Sequence, residues 1–270
     1  EETYTFSGTS SSNIWVGYVS GGSSWAGSFN PLDGLADEFK IFNKALSGSQ
    51  IETIYTNELA GNNWDGSSRA PTLCIAPAVG DWRLDACGYY GTSDEITDDS
   101  DNDHHGAASG AMYQTPGKVC NAMAFTGSGG NFLQVADHTD FSMTTAGALA
   151  TWVYLNSSGD YYLIHKGDET DFSDQAYSLH VNSSGKAILT LRDAGSQISV
   201  LSSASLAVGT WYHLAGTWDG DTMAIYIDGS RDNYEVASHS ADDTNSDLYF
   251  GSLNGNNTLD GYLDDILIFD

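Results

Sequence analysis

The stretch TWYHLAGTWDGDTMAIYIDGSRDN, residues 210–233, decides the fold. It contains two runs rich in β-branched and aromatic residues, separated by Asp219-Gly220 and followed by Asp228-Gly229. Asp-Gly pairs suit tight turns that need positive φ angles, and β-branched and aromatic residues favour extended strands. The stretch therefore predicts a β-hairpin.

Other β-rich runs, each bounded by turn residues, occur along the rest of the chain. The predicted strands are 121–126, 131–136, 147–155, 160–166, 175–182, 186–192, 197–201 and 247–251. The chain has 30 glycines, four prolines and 12% aromatic residues, a composition that favours strands joined by tight turns. These patterns predict an all-β fold: a two-sheet antiparallel β-sandwich with one short helix.

A repeated segment indicates the domain organisation. DGLADEFKIFN at 33–43 and DGYLDDILIFD at 260–270 are identical at five of eleven positions. The repeat predicts that 1–60 are the closing strands and helix of a preceding module, 61–71 a linker and 72–270 a second, nearly complete module. Unpaired strands are unstable as an exposed edge, so we expect the first part to pack on the main sandwich or to self-associate with a neighbouring chain.

The one predicted helix follows the first copy of the repeat, in the segment SGSQIETIYTNEL. Ser47 and Gln50 have the spacing of a capping box, in which each side chain bonds the other residue's backbone amide. Ile51 and Leu59 belong to one helical face, and Gly61 can end the helix.

The chain is strongly acidic. Nine Lys plus Arg stand against 36 Asp plus Glu, a net charge of -27. This charge repels phosphate backbones and anionic lipids, so we expect no nucleic-acid partner and no acidic membrane surface as partner. Asp outnumbers Glu by 28 to 8, and Asp is the acid of turns and calcium loops. The bias predicts Asp-rich loops that hold cations, or equally an acidity that serves solubility alone.

The cysteines and the hydropathy pattern favour an exported protein. Cys87 and Cys120 flank the Asp-rich segment and are the predicted disulfide, with two free thiols as the alternative and Cys74 left over. No apolar stretch is long enough for a transmembrane helix, so we expect no membrane insertion. The chain also lacks an amino-terminal signal pattern, which suggests a processed or excised piece of an extracellular or cell-surface protein.

Three segments carry a family resemblance: ALATWVYLNSSGDYYLIHKGD at 148–168, WYHLAGTWDGDTMAIYIDG at 211–229 and LDGYLDDILIFD at 259–270. They resemble the laminin-G-like, concanavalin A-like jelly rolls, over about 75–270. The segment ADEFKIFNKALSGSQIETIY at 36–55 is similar to the terminal strand and helix of the same family. The resemblance implies a concanavalin A-like jelly roll, a fold that hosts lectins, adhesion modules, glycosidases and lyases.

A narrower resemblance lies in WRLDACGYYGTSDEITDDSDNDHHGAAS at 82–109 and GKVCNAMAFTGSGGNFLQV at 117–135. These segments resemble the lectin-like part of the MshQ type of pilus-biogenesis and surface proteins. That resemblance implies an exported bacterial surface protein with a role in attachment.

The best candidate site is TDDSDNDHHG at 97–106, which resembles the family's D-S-S-G-N-G-N-H-G loop. The resemblance places Asp98 on its Asp and Asn102 on its Asn, while Asp101 and Asp103 replace glycines. Calcium needs six to eight oxygen ligands, which carboxylates, Asn side chains and loop carbonyls supply. The loop therefore predicts a calcium site.

The expected partner of this loop is Asp264. In the first copy of the repeat, Asp37 shares alternate positions with Leu35, Phe39 and Ile41, so it falls on the apolar face that packs inward. Asp264 occupies the equivalent position in the second copy. A buried carboxylate needs a cation or several hydrogen-bond donors. Calcium at Asp98, Asn102 and Asp264 is one interpretation, and an Asp that accepts backbone amides in a turn is the other.

Two other metal interpretations of the loop are weaker. An EF-hand is rejected because its sixth position is His104 rather than Gly, and its twelfth is Gly110 rather than Glu. His104 and the adjacent His105 lack a spaced third ligand, so the sequence gives little indication of zinc.

The aromatic residues divide into two groups. Four tryptophans within strand patterns are predicted to pack in the core: Trp82, Trp152, Trp211 and Trp218. Four tyrosines near turns are candidates to stack on a sugar face, or else to pack sheet edges or protein partners: Tyr89, Tyr90, Tyr161 and Tyr162.

Motifs of enzymes with related folds or chemistry do not occur in the sequence. The E-x-D-x-x-E pair of carboxylates of jelly-roll glycosidases, the G-x-S-x-G elbow and H-E-x-x-H are missing. We therefore expect a calcium-supported module that binds a glycan or cell-surface ligand, not an enzyme. The alternatives are a structural or assembly module without a glycan ligand and, third, a glycan hydrolase or lyase.

Overall fold

The computed structural model describes residues 46–59, 77–86, 88–128, 130–168, 174–193, 196–236 and 238–270. The chain divides into two compact units, Glu1–Leu73 and Cys74–Asp270. The predicted strands of 1–45 and the linker 61–71 lie outside the described residues, so the preceding module and its self-association stay predictions. In the described part of the chain, no helix is long and apolar enough to cross a membrane.

The described part of the first unit is the helix α1, Gly48–Leu59. The amide of Ser47 donates to Gln50 Oε1 at 2.9 Å, and the amide of Gln50 lies 3.3 Å from Ser47 Oγ. This reciprocal pair is the predicted capping box, and it satisfies two amides that the first turn leaves without partners. The predicted helix is therefore confirmed.

The second unit is built from strands. They are β1 (Gly80–Trp82), β2 (Gly88–Tyr89), β3 (Gly106–Ser109), β4 (Met112–Pro116), β5 (Asn121–Thr126), β6 (Phe132–Val135), β7 (Gly147–Leu155), β8 (Tyr161–Gly167), β9 (Gln175–Val181), β10 (Ala187–Asp193), β11 (Ser196–Leu201), β12 (Trp211–Trp218), β13 (Thr222–Ile227), β14 (Ser230–Val236), β15 (Leu248–Phe250) and β16 (Asp260–Phe269). A 3-10 helix spans Thr139–Phe141. The eight strands predicted from the sequence are all present, and each of their bounds is exact or differs by one residue.

These strands form two antiparallel sheets, which confirms the predicted two-sheet sandwich. The nine-stranded sheet has the order β14-β13-β12-β7-β16-β5-β4-β2, with β1 also paired to β16. The seven-stranded sheet has the order β11-β10-β9-β8-β15-β6-β3. Strands distant in sequence lie side by side in both sheets, so residues from separate parts of the chain meet on each face.

The predicted hairpin joins β12 to β13. Thr217 pairs with Ala224, and the Asp219 carboxylate caps the turn by accepting the amide of Thr222 at 2.7 Å. The next turn, between β13 and β14, contains Asp228 at φ 50° and Gly229 at φ 77°. Two successive positive φ angles are the conformation that an Asp-Gly pair supports.

The core lies between the two sheets. The largest fully buried side chains include Trp82, Phe125, Phe141 and Phe250. The Trp82 ring lies against Phe250, with 4.8 Å between centroids, and against Phe141 at 6.3 Å. This aromatic cluster packs β1 and β15 against the 3-10 helix, which lies next to the Asp-rich loop.

Strand β16 lies in the middle of the nine-stranded sheet and contains a β-bulge. The pairing register between β16 and β7 shifts between Asp264 and Leu267, and Asp265 has φ 46°. Leu263 and Asp264 are both fully buried although they are adjacent. Leu263 pairs with Val153 and Asp264 with Trp152, so the two side chains lie on opposite faces of the sheet, and the 117–119 segment bonds to Asp264.

The close pairing of β16 with β7 can be tested at Gly261. A Cβ atom at this position would lie 2.1 Å from the Tyr154 carbonyl oxygen, which is backbone and cannot rotate away. We expect Gly261→Ala to lower the free energy of unfolding by about 2 kcal/mol or more, measured by urea denaturation.

Gly229→Ala is the matched control, since it has positive φ but no atom within 4 Å of the added methyl group. Its cost should be conformational strain alone, about 1 kcal/mol. Equal losses in the two variants would contradict the close approach of the strands.

Candidate functional site

The acidic loop, residues 97–105, is closed at its base by a β-bridge. Ile96 and Gly106 exchange two backbone hydrogen bonds, of 3.0 and 2.9 Å. Within the loop Asp103 has φ 58°, a left-handed conformation that Asp adopts more readily than most residues. One of the two aspartates that replace glycines therefore takes a conformation typical of glycine.

Asp98 is buried in the loop, and its carboxylate accepts four hydrogen bonds. Oδ1 accepts the amides of Asp81 and Ser100 at 2.8 and 3.0 Å. Oδ2 accepts the Ser100 hydroxyl at 2.7 Å and the amide of His104 at 2.9 Å. Burial by itself would raise the pKa of Asp98, but these hydrogen bonds outweigh it and lower the pKa. Asp98 thus has the geometry of a turn carboxylate satisfied by backbone amides.

Asn102 fastens the loop to the chain that precedes β1. Its side-chain amide donates to the carbonyl oxygens of Ala78 and Val79, at 3.3 and 3.0 Å. The side chain therefore has a structural role in closing the loop, whatever its amide oxygen binds.

Asp264 is fully buried at the bulge of β16, as its place in the sequence repeat predicts. Its Oδ2 accepts the amides of Lys118 and Val119, both at 2.8 Å. Its Oδ1 has no hydrogen-bond partner. Burial raises the pKa of Asp264 to about 6, against the opposing effect of the two amides.

The three predicted calcium ligands have hydrogen-bond partners on different backbone segments. Asp98 bonds to β1 and within the acidic loop, Asn102 bonds to the residues before β1, and Asp264 bonds to Lys118 and Val119. The four donors around Asp98 occupy its lone pairs, so a cation at Asp98 would have to displace some of them. Calcium binding at these residues stays a prediction.

An acidic cleft of about 760 Å³ lies beside the loop. Five aspartates contribute to its lining: Asp81, Asp99, Asp101, Asp140 and Asp270. Arg83 lies 3.5 Å from Asp81 and 3.3 Å from Asp99, and so offsets part of the charge. A concave surface lined by one sign of charge raises the local concentration of counter-ions. The cleft is therefore attractive to cations.

The four candidate sugar-binding tyrosines lie in different environments. Tyr89 is a buried core residue of the nine-stranded sheet, while the adjacent Tyr90 is 68% exposed. Tyr161 and Tyr162 belong to β8 of the seven-stranded sheet, and the Tyr161 hydroxyl bonds Ser157 Oγ at 2.7 Å. Packing is thus the role of Tyr89, and the two pairs belong to different sheets.

Tyr162 borders a pocket on the outer face of the seven-stranded sheet. Its ring stacks on His180 with 4.7 Å between centroids and meets His165 edge-on at 5.4 Å. Both ring nitrogens of His165 are buried without a partner, and burial lowers its pKa to about 3, so the ring is neutral. The pocket volume is about 40 Å³, enough for about one water molecule and too small for a sugar ring.

The cysteine prediction is not supported. Cys120 carries a free and exposed thiol. Cys87 and Cys74 lie outside the described residues. The bond between Cys87 and Cys120 is therefore not formed in this structure.

The outer face of the nine-stranded sheet carries an aromatic patch. We call it the outer aromatic patch, and its members are Trp152 and Tyr154 of β7, Trp211 and His213 of β12, and Tyr262 of β16. Trp211, Tyr154 and Tyr262 are paired across three neighbouring strands. The core prediction is right for Trp82 and Trp218 and wrong for Trp152 and Trp211, which are partly exposed.

The rings of the patch contact one another. The Tyr154 centroid lies 5.6 Å from Trp211 and 5.2 Å from Tyr262, and Trp211 lies 6.2 Å from Tyr262. Trp152 meets His213 at 5.2 Å, and the Lys118 ammonium lies 4.9 Å from the Trp152 ring centroid. Mutual packing holds the rings in place before any ligand arrives, which lowers the entropic cost of binding.

A shallow depression of about 460 Å³ adjoins the patch. Its lining residues are Lys118, Trp152, Trp211, His213, Asp228 and Gly229. It combines apolar ring surface with one cation, one carboxylate and one imidazole. Its volume and this mixture are those of a site for a small polar ligand.

The carboxyl-terminal half of the chain matches a known family. The family model Laminin_G_3, described as the concanavalin A-like lectin/glucanases superfamily, matches residues 127–270, more than half of the chain. The chain belongs to this superfamily. The structure and the family match thus agree with the resemblance seen in the sequence. No curated protein matches the chain.

Solved structures similar to this concanavalin A-like chain have low sequence identity. Domain 4 of AbnA, a GH43 extracellular arabinanase from Geobacillus stearothermophilus solved with arabinotriose, has a TM-score of 0.57 and 14% identity. The alignment covers 72% of this chain and 93% of that domain. At this identity the similarity establishes the fold alone.

Two toxin binding domains are also similar. The binding domain of Paraclostridial Mosquitocidal Protein 1 has a TM-score of 0.55 and 15% identity, and the receptor binding domain of botulinum neurotoxin type G has 0.54 and 14%. The alignments cover 67% and 72% of this chain and 48% of each toxin domain. The concanavalin A-like chain therefore spans about half the length of these two domains.

The outer aromatic patch is the site that sequence reasoning missed. Both faces of β7 are apolar, because Val153 and Leu155 face the core while Trp152 and Tyr154 face outward. Strand alternation shows which residues share a face but not which of two apolar faces is buried. The tryptophans and tyrosines at alternate positions were the one available indication that these strands form an aromatic surface.

The charge state of Asp264 can be tested by pH. Its folded pKa of about 6 lies above the ordinary Asp value of 3.8, so the native state binds this proton more tightly than the unfolded chain does. Ionising this carboxyl group therefore lowers the free energy of unfolding at pH 7. The protein regains this stability as the pH falls from 7 toward 4. Asp264→Asn keeps an oxygen for the two amides, so we expect it to be more stable than wild type by about 2 kcal/mol at pH 7.

The measurement is urea denaturation of both proteins between pH 4 and 7, in buffer that contains a chelator. The advantage of Asp264→Asn should shrink as the pH is lowered through 6. A variant that is less stable than wild type at every pH would mean that the carboxylate is stabilised as an anion.

Proposed function

We propose that this concanavalin A-like domain is a carbohydrate-binding module of an extracellular or cell-surface protein. The outer aromatic patch carries the proposal. Sugar rings present apolar C–H faces together with hydroxyl groups, and they are matched by aromatic rings bordered by polar side chains. The patch and its depression provide this combination.

The polar groups are placed to bind hydroxyls around the rings. Asp228 accepts the backbone amide of His213 at 2.9 Å through one oxygen, which holds the carboxylate beside the depression. Lys118 lies over Trp152, so an ammonium donor is held next to an aromatic face. A donor and an acceptor that line the same depression as aromatic rings can orient a neutral sugar.

The depression favours binding over hydrolysis. Asp228 is the one carboxylate among its lining residues, whereas most glycoside hydrolases need two carboxyl groups across the scissile bond. Fold neighbours that bind sugars or receptors support the proposal: the arabinanase domain was solved with arabinotriose, and the toxin domains are described as binding domains.

Calcium enters the proposal as a stabiliser of the acidic loop. The acidic cleft presents carboxylates together with the loop that contains Asn102, and oxygen-rich concave surfaces are what calcium prefers. Calcium bound there would relieve repulsion among the aspartates and so stabilise the fold. Adhesion to a glycan-bearing cell surface is the biological role that we attach to this module.

The aromatic patch gives the first prediction about binding. A glycan array identifies the ligand, and calorimetry then measures its affinity for the purified domain. We expect Trp211→Ala to weaken binding about tenfold or more, because it removes the largest ring that contacts both tyrosines.

Tyr113→Ala is the matched control, since Tyr113 is an exposed aromatic residue of the same sheet outside the patch. It should bind like wild type. An equal loss of glycan affinity in both variants would contradict binding at the outer aromatic patch. Absence of glycan binding together with self-association would favour the structural module instead.

The calcium proposal has its own prediction. Thermal unfolding in excess calcium should occur at a higher temperature than in a chelator, because an ion that binds the native state alone stabilises it by mass action. The double variant Asp99→Asn, Asp101→Asn should lose most of this shift, since it removes two exposed carboxylates of the cleft. An undiminished shift in the double variant would place calcium elsewhere.

A further inference from the structure

Three potential metal ligands meet at the edge of the acidic loop. His104 belongs to the loop, while His138 and Asp140 lie at the start of the 3-10 helix. His104 Nε2 is 3.0 Å from Asp140 Oδ2, and His138 Nδ1 is 3.3 Å from the same oxygen. All three ligand atoms lie within 4.8 Å of one another. The fold thus supplies the spaced ligands that the His104-His105 pair lacks in the sequence.

These distances agree with those of a tetrahedral zinc site. Zinc binds imidazole nitrogen and carboxylate oxygen at about 2.0–2.1 Å, which puts neighbouring ligand atoms of a tetrahedron about 3.3 Å apart. Two of the three separations are already 3.0 and 3.3 Å. A small movement of the His138 ring would bring the third pair to the same spacing.

His104 is held rigidly by groups outside the cluster. Its amide donates to Asp98, and its carbonyl oxygen accepts the Trp82 indole N–H at 3.0 Å. Its ring packs on Phe141, with 4.7 Å between centroids. Contacts that orient a ligating histidine before the metal arrives increase metal affinity.

His138 presents an unprotonated nitrogen. It precedes the 3-10 helix as its N-cap, and its Nδ1 accepts the amide of Asp140 at 3.2 Å. Metal coordination requires the lone pair of this nitrogen, so a metal bound at Nδ1 replaces the long hydrogen bond from the Asp140 amide. The side chains of His138 and Asp140 are 49% and 41% exposed, so a metal ion can reach the cluster from solvent.

We infer that His104, His138 and Asp140 bind a divalent transition metal of the zinc class. Two imidazoles and one carboxylate suit zinc and its neighbours, whereas calcium prefers oxygen ligands. Asp140 also lines the acidic cleft, whose charge attracts cations toward the site. A metal bound at His104 Nε2 takes the place of the hydrogen bond to Asp140, and the imidazole then carries its proton on Nδ1. The three protein ligands leave a fourth position for water or another ligand.

The test is titration of the metal-free, tag-free full chain with zinc chloride by calorimetry, and with cobalt chloride by visible absorption. We expect one zinc ion per chain and a cobalt spectrum of nitrogen and oxygen ligation without thiolate bands. His138→Ala and Asp140→Asn should each weaken zinc binding about tenfold or more, because even residues outside the ligand set change affinity by that factor. Both side chains are partly exposed, so both variants should fold.

Asp270→Asn is the matched control, since it removes one exposed side-chain charge of the same cleft without removing a ligand. Its zinc affinity should stay within about twofold of wild type, and so should that of Cys120→Ser, which removes the exposed thiol. Equal affinities of wild type and His138→Ala would overturn the inference. So would a loss in Asp270→Asn as large as that in Asp140→Asn, which would indicate attraction to the acidic surface as a whole.

Discussion

The buried carboxylate of Asp98 organises the acidic end of this domain. It gathers amides from β1, through Asp81, and from the loop itself, through Ser100 and His104. Without a buried acceptor these amides would lose their water partners with nothing in exchange. The same contacts set the backbone of His104, whose carbonyl oxygen receives the Trp82 indole. One anion therefore links the loop to the aromatic core of the sandwich.

This arrangement separates structural acids from acids available to a ligand. Asp98 is enclosed and saturated, whereas acids of the cleft such as Asp99 and Asp101 are exposed. Because amides satisfy the buried carboxylate, the loop needs no cation to neutralise Asp98. The exposed carboxylates remain free to attract cations.

Strand β16 connects this end to the outer aromatic patch. Asp264 lies beneath the loop at Lys118 and Val119, and Tyr262, two residues earlier on the same face, belongs to the patch. Lys118 itself lies over Trp152. The buried carboxylate and the aromatic patch thus share the 117–119 loop, so a change in the charge of Asp264 acts on the backbone that positions Lys118.

Most of the fold follows from local patterns. The Asp-Gly turns, the capping box at Ser47 and the short strands depend on neighbouring residues, so the sequence predicts them almost to the residue. The burial of Asp264 was also predictable from the sequence repeat, but the repeat placed it on the inward face, whereas its pairing with Trp152 puts it on the outer one. Period-two alternation, together with turn chemistry, carries this information.

The sites depend on contacts between distant parts of the chain. His104 and Asp140 are 36 residues apart and meet because the Trp82 and Phe141 rings pack the acidic loop against the 3-10 helix. Trp152 and Trp211 form a surface because strands with two apolar faces must turn one of them outward, and alternation cannot select which. The sequence by itself determined the strands, the turns and the acidic loop. The tertiary structure alone decided which side chains meet, because the pairing of distant strands and the choice of the buried face are properties of the packed sheets.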